Sequence, residues 1–513
     1  MIARATRRLL FAIVLLLVSV GLGLAQDAGQ VLRVSVGFNT LKNTNSATMS
    51  EATRAEVDRL SKSALDANVA GKYGEALKHL YHGMAVMRGQ PWTPARALAA
   101  ALSVKLERAV IEPSQTLGLD LGQLFSLDEK LEGRLTGTIS LLKMQGDDPV
   151  KLLKTLDAFG PDLVANPARL QVTAPDVPDG NYRLSVKIQP PGDGAEPIVK
   201  NSTIHVEKGL VTEIAAARAR SAKIEKKLSA GRQGAMIAAL ATADYRLSLS
   251  DLANAGTINF DRIDFRAELK DATAMLDDLE AGRDPLAARR GDFKRAYRSK
   301  DSALQPYRIF VPAAYDKSKA QPLIIALHGM GGDENSYFDA YANGAFKVEA
   351  EKRGYIVACP KGLQPASMYR GPAEQDVMDV LAEVRRVYNV DADRIYLTGH
   401  SMGGFGTWSV AMHHPEIFAA IAPVAGGGNP LELSKIVQIP ELVVHGDADM
   451  TVRVESSRMM VEAAKKLGIE LKYIEVPKGS HINVVVPTFK DVFDWFDAHK
   501  RKASEAKAAG ASK

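Results

Sequence analysis

Residues 301–499 read as an α/β domain, a mostly parallel sheet flanked by helices, and the chain before them as a helical region followed by a β-sandwich-like module. Three observations predict this. Short apolar runs at 307–311, 323–327, 356–359, 395–398, 419–424, 442–445 and 472–476 alternate with helical patterns near 340–353, 373–388, 402–413, 456–467 and 488–499. Strands separated by helical crossovers pair in parallel and need both faces covered. Glycine-rich motifs follow three of those runs directly, where an open parallel sheet binds its ligands. Upstream, period-two runs at 134–141, 182–188 and 198–206 are set apart by clusters such as Val177-Pro178-Asp179-Gly180-Asn181, the mark of antiparallel strands joined by turns.

At 513 residues the chain is long enough for two or three domains. Arg4, Arg7 and Arg8 precede an apolar run from Leu9 to Leu22, and Gly23-Leu24-Ala25 closes it as a small-x-small cleavage site. That is the layout of an export signal over 1–25, shorter than the about 20 apolar residues a membrane span requires. The expectation is an exported protein, periplasmic or secreted, with no stable membrane insertion once the signal is cleaved. A retained N-terminal anchor is the alternative.

Residues 26–112 read as mainly helical, with 31–36 as a short strand and the helical pattern running from Glu51 to about Arg108. Ala70 to Leu80 resembles one half of a helical-repeat hairpin, without a second copy at that period. Residues 113–208 form the sandwich-like module and 209–300 a helical connecting segment, with boundary signals at Asp284-Pro285 and Arg289-Arg290. The basic, Ala/Ser-rich stretch 500–513 reads as a disordered tail. Formal charge is +5, but basic and acidic residues interleave, so there is no nucleic-acid footprint. Cys359, the single cysteine, lies in an apolar run and reads as a core residue.

The chemistry centres on Gly399-His400-Ser401-Met402-Gly403, where a strand must turn sharply into a helix. Small residues two before and two after the serine allow that turn, which lifts the Ser401 hydroxyl clear of the sheet and sets the Met402 N–H at a positive helix end. A serine hydroxyl needs a base to take its proton. His481, in Gly479-Ser480-His481 beyond the last strand, is the candidate base. Asp449 is the candidate acid behind it, preferred to Asp447 because the latter is still completing the turn after His445-Gly446. In His328-Gly329-Met330-Gly331-Gly332 the backbone N–H of Met330, with that of Met402, is the candidate pair of oxyanion donors. His328, His400, His445, His413 and His414 read as structural, as does Tyr369-Arg370-Gly371, a loop whose alternative reading is contact with an anionic or sugar-bearing substrate. No metal or cofactor is called for.

Residues from about 300 to 498 resemble exported α/β-hydrolases grouped with prolyl-oligopeptidase-type peptidases, feruloyl and acetylxylan esterases and polyhydroxybutyrate depolymerase-like enzymes. The carriers are the two glycine-rich motifs, the extension Gly404-Phe405-Gly406-Thr407-Trp408, the stretch Phe418 to Gly427, and His445-Gly446-Asp447-Ala448-Asp449 with Val452. The resemblance implies a triad of Ser401, Asp449 and His481. Where the family often has an aromatic after its last histidine, this chain reads Ile482-Asn483-Val484. The expected activity is serine hydrolysis of a small-molecule or polymer-linked carboxylic ester through an acyl-enzyme. The alternatives are a prolyl-oligopeptidase-type peptidase and an inert hydrolase-fold scaffold.

Overall fold

The computed structural model describes residues 28–46, 48–192, 195–230, 234–301, 303–363 and 366–501. The expected export signal and most of the expected tail lie outside the described residues. Arg501, the last of them, is held in place: its guanidinium bonds Asp393 at 2.9 Å and its N–H donates to the Asp393 carbonyl, so order persists past Lys500. No helix among the described residues is long and apolar enough to cross a membrane.

The chain divides into two compact units, one running to Glu213 and including Leu249–Phe265, the other made of Ile214–Ser248 and the chain from Arg266 onward. The first unit begins with helices Ala28–Asn45, Glu51–Val69, Tyr73–Met87 and Pro94–Ala101. Ser50 caps the second, its hydroxyl accepting from the Thr53 N–H, and Thr93 caps the fourth just before Pro94. Residues 31–36, expected as a strand, are helical. Val31, Val34 and Phe38 fall at i, i+3 and i+7 and join Leu77 and Leu80 in one apolar cluster, and that period outweighs the local valine alternation.

The helical stretch also ends sooner than expected, because Leu102–Leu106 is the first strand, β1. It is followed by β2 (Val110–Ile111), β3 (Thr116–Gln123), β4 (Leu135–Lys143), β5 (Pro149–Phe159), β6 (Ala168–Thr173), β7 (Gly180–Gln189) and β8 (Ile198–Val206). Strands β1-β3-β6 make one sheet and β2-β8-β7-β4-β5 another. Leu117, Leu119 and Leu121 from the first share a core with Ile139, Leu141, Leu184 and Val186 from the second, so two sheets close on one apolar layer.

In the second unit the strands are β9 (Gly291–Arg298), β10 (Leu304–Val311), β11 (Gln321–Leu327), β12 (Ile356–Pro360), β13 (Val390–His400), β14 (Ala420–Val424), β15 (Glu441–Gly446) and β16 (Leu471–Val476). They form one sheet in the order β16-β15-β14-β13-β11-β12-β10-β9. Pairing is parallel from β16 to β12, and β10 and β9 close the edge antiparallel. Strand β9 lies inside a stretch expected to be helical. Its buried alternation, Phe293, Arg295 and Tyr297, is masked in the sequence by an arginine at the middle inward position.

Residues along β11 alternate between two cores. Leu323, Ile325 and Leu327 pack with Val380, Trp408 and Met460 from the helices on one face, while Ile324 and Ala326 pack with Phe346, Phe493 and Phe496 on the other. Cys359 is buried in the second of these cores. From β11 the chain goes to β12 on one side and then to β13 on the other, so the carboxyl ends of β11 and β13 flank the switch point where such sheets open a crevice.

Candidate active site

Strand β13 ends at His400, and helix Met402–His413 begins one residue after Ser401. Ser401 absorbs the whole turn at φ 59° and ψ −118°, a conformation costing a non-glycine residue about 1–3 kcal/mol. Hydrogen bonds on both sides hold it there: its N–H donates 2.9 Å to the Val424 carbonyl, and its own carbonyl accepts from Phe405 at 3.1 Å. The glycines are required by contact. A Cβ at Gly399 would run into the Gly403 backbone, and one at Gly403 into the Leu327 carbonyl. With both bare, the helix end packs directly against β11 and β13, and nearly the whole helix is buried.

The turn presents Ser401 Oγ to the last loop of the sheet, where His481 Nε2 lies 2.8 Å away. His481 Nδ1 lies 2.6 Å from Asp449 Oδ2. Asp449, 5% exposed, accepts through its other oxygen from the backbone N–H groups of Thr451 at 2.8 Å and Val452 at 2.9 Å. Burial raises the Asp449 carboxyl, but the His481 bond and these backbone donors outweigh it and hold the group below the usual aspartate value, so it is ionised at neutral pH. Asp447 points elsewhere, accepting from the Lys478 N–H at 2.6 Å. The His481 loop is pinned from within by Asn483, whose side-chain oxygen accepts from the Ser480 N–H at 2.7 Å.

Of the two predicted oxyanion donors, Met402 opens its helix, where the first N–H groups have no intrahelical partner. Met330 lies in the turn after β11, whose Gly329 sits against the elbow: a Cβ there would stand 3.4 Å from Ser401 Cβ. His328, 1% exposed, is wedged between the carbonyls of Gly329 and Lys361, each at 2.8 Å from a ring nitrogen. Tyr369 is fully buried and does not reach a substrate; it lies over Gly406 and directs its hydroxyl at the His328 carbonyl. Its neighbour Arg370 borders a cavity of about 470 Å³ with Met368, Glu374 and Phe405, one helical turn beyond Ser401.

Three further side chains border the site: His445 and His400, read from the sequence as structural, and Tyr341, which the sequence did not single out. His445 Nε2 lies 3.3 Å from the same Asp449 oxygen that meets His481 and 2.9 Å from the Val452 carbonyl. Both are acceptors, so Nε2 carries the proton, which it donates to the Val452 carbonyl with the Asp449 oxygen close by. His400 and Tyr341 form a second pair beside His481. Adjacency to the motifs was the only signal for the histidines, and Tyr341 carried none.

The sheet with its switch point, the serine on a strained strand-to-helix bend and the histidine and aspartate behind it define an α/β-hydrolase domain carrying the side-chain constellation of serine hydrolases. Residues 371–490 match the family model described as PET hydrolase-like. Among curated proteins, the chain is 29% identical over 157 residues to a bifunctional acetylxylan esterase/xylanase of Neocallimastix patriciarum, covering 30% of this chain and 22% of that one. It is 35% identical over 124 residues to feruloyl esterase B of Neurospora crassa, covering 22% of this chain and 41% of that one. It is 24% identical over 263 residues to dipeptidyl-peptidase 5 of Porphyromonas gingivalis, covering 41% of this chain and 38% of that one. The chain thus spans less than half the length of each of these relatives.

Proposed function

We propose that the protein is an exported serine hydrolase that cleaves carboxylic esters, with Ser401 as nucleophile, His481 as general base and Asp449 as the acid that orients it. The observation that carries this reading is the unbroken chain from Ser401 Oγ through both nitrogens of His481 to Asp449 Oδ2, at 2.8 and 2.6 Å. His481 takes the hydroxyl proton as Oγ attacks the ester carbonyl, and ionised Asp449 offsets the charge on the imidazolium. The oxyanion turns toward the N–H groups of Met402 and Met330, each such donor being worth about a hundred- to a thousand-fold in rate. The imidazolium then protonates the departing alkoxide, and a water activated by the same base releases the acid from Ser401.

Ester hydrolysis is favoured by the acetylxylan and feruloyl esterase relatives, which also make a polymer-linked ester a reasonable substrate. The cavity beyond Phe405 offers room for part of such a substrate. A peptidase is the second reading, supported by the dipeptidyl-peptidase relative, because the same triad serves both reactions. Export rests on the basic and apolar pattern of residues 1–25. Labelling with a fluorophosphonate probe, lost in Ser401→Ala, separates a working hydrolase from an inert scaffold. Rates on p-nitrophenyl acyl esters and aminoacyl anilides then decide the bond: faster anilide cleavage would overturn the esterase assignment.

A further inference from the structure

His400 ends β13 directly before the nucleophile and is 3% exposed. Its Nε2 stands 2.8 Å from the backbone carbonyl of His481, and its Nδ1 stands 2.8 Å from Tyr341 Oη. A carbonyl oxygen can only accept, so Nε2 holds the proton. In the neutral ring Nδ1 is then bare and accepts from the Tyr341 hydroxyl. The His400 and His481 rings lie against each other with centroids 4.8 Å apart and planes tilted by 46°, and the Tyr341 ring meets His400 edge-on at 5.7 Å.

We propose that His400 is a positioning residue for the hydrolysis: a neutral imidazole, its tautomer locked by Tyr341, that ties the backbone of the general base to the strand bearing the nucleophile. The inference rests on the serine-hydrolase reading above. Asp449 and Ser401 each grip one nitrogen of the His481 ring, but neither grips its backbone. The His400 bond completes a closed circuit, from Ser401 through the adjoining His400 side chain to the His481 carbonyl and back through the His481 ring to Ser401 Oγ. Such a circuit sets the serine-to-histidine separation directly, and an error of about 1 Å there costs about a hundred-fold in rate.

The charges around His400 agree with a neutral tether. Facing it are His481, Asp449, His445 and Tyr341. Burial, and next the neighbouring His481, push the His400 ring down to about 4, so it places no second cation beside the imidazolium formed in the reaction. Burial also pushes the Tyr341 hydroxyl far up, which keeps its proton available for His400.

Three variants test the tether. His400→Phe keeps a ring but no donor, His400→Gln puts an amide N–H near the place of Nε2, and Tyr341→Phe removes the lock. In p-nitrophenyl acetate hydrolysis His400→Phe should lower kcat by about 10- to 100-fold with KM nearly constant, and fluorophosphonate labelling should slow in parallel. His400→Gln should recover most of the loss at a melting temperature close to that of His400→Phe, and Tyr341→Phe should fall between. Nitrogen NMR of the wild type should show His400 neutral and protonated on Nε2 at pH 7, a readout that stands even if His400→Phe fails to fold. Full kcat in His400→Phe, a Gln variant as impaired as the Phe variant, or a proton on Nδ1 would each overturn the tether while leaving the hydrolase reading intact. A wild type inert to both probe and esters would overturn the hydrolase reading itself.

Discussion

Asp449 shows how a few atoms set the chemistry. Two backbone N–H groups and His481 stabilise its charge, so the carboxylate accepts the His481 Nδ1–H hydrogen bond in one orientation while staying ionised. Asp449→Asn keeps the shape and removes the charge. It should lower kcat by about 10⁴-fold, the size of effect seen when a triad acid is neutralised, with little change in KM. Ser401→Ala should abolish probe labelling and reduce hydrolysis by at least about 10³-fold. Activity of the Asp449→Asn variant within about tenfold of wild type would place the acid elsewhere. Asp447 is poorly placed for that role, since its side chain is committed to the Lys478 N–H.

The elbow depends on how closely helix Met402–His413 approaches β11. In an exposed helix Gly→Ala gains about 1 kcal/mol from helix propensity. At Gly403 the added methyl would collide with the Leu327 carbonyl, on a strand buried on both faces. Neither backbone can retreat without breaking the parallel ladder from β11 to β13. Gly403→Ala should therefore destabilise the domain by about 2 kcal/mol or more despite its better propensity, and move Ser401 away from His481. Thermal melts and labelling rates check this together: an unchanged melting temperature would mean the helix can shift freely. Gly399→Ala should behave similarly, because its Cβ would meet the Gly403 backbone.

Across the sheet, Glu441 gives the hydrolase domain a built-in pH dependence of stability. It starts β15, is fully buried, and accepts from Trp408 Nε1 at 3.1 Å. Burial raises its carboxyl to about 7, although the Trp408 bond pulls the other way. The folded chain thus binds this proton more tightly than the unfolded one, whose carboxyl titrates near 4.5. Its stabilising contribution is complete below that value, declines as pH rises toward 7, and is gone above it. Glu441→Gln retains an acceptor for Trp408 and cannot ionise. The melting-temperature difference, variant minus wild type, should grow from pH 4.5 to 7 and level off beyond; a difference independent of pH would refute the assignment.

Much of this was legible in the chain because its signals are local. Short apolar runs, glycines two residues either side of a serine, and loops after strand ends each lie within about ten residues, the range over which backbone preference and binary pattern act. That is why Ser401, His481 and the flanking strands stood out, and why the alternation of strands and helices from β10 onward could be read in advance. Other features depended on long-range placement. Strand β9 was hidden because Arg295 occupies an inward position, where its guanidinium lies over the Tyr388 ring. Residues 31–36 could alternate as a strand until Phe38 found partners among the neighbouring helices. The choice between Asp447 and Asp449 turned on which way a tight loop directs two carboxylates spaced two residues apart. The bond from His400 to His481 spans 81 positions and exists only because the folded sheet brings the end of β13 beside the last loop. Motifs announce the chemistry a chain carries; the folded sheet, by setting distances between loops far apart in sequence, determines which side chains hold it in register.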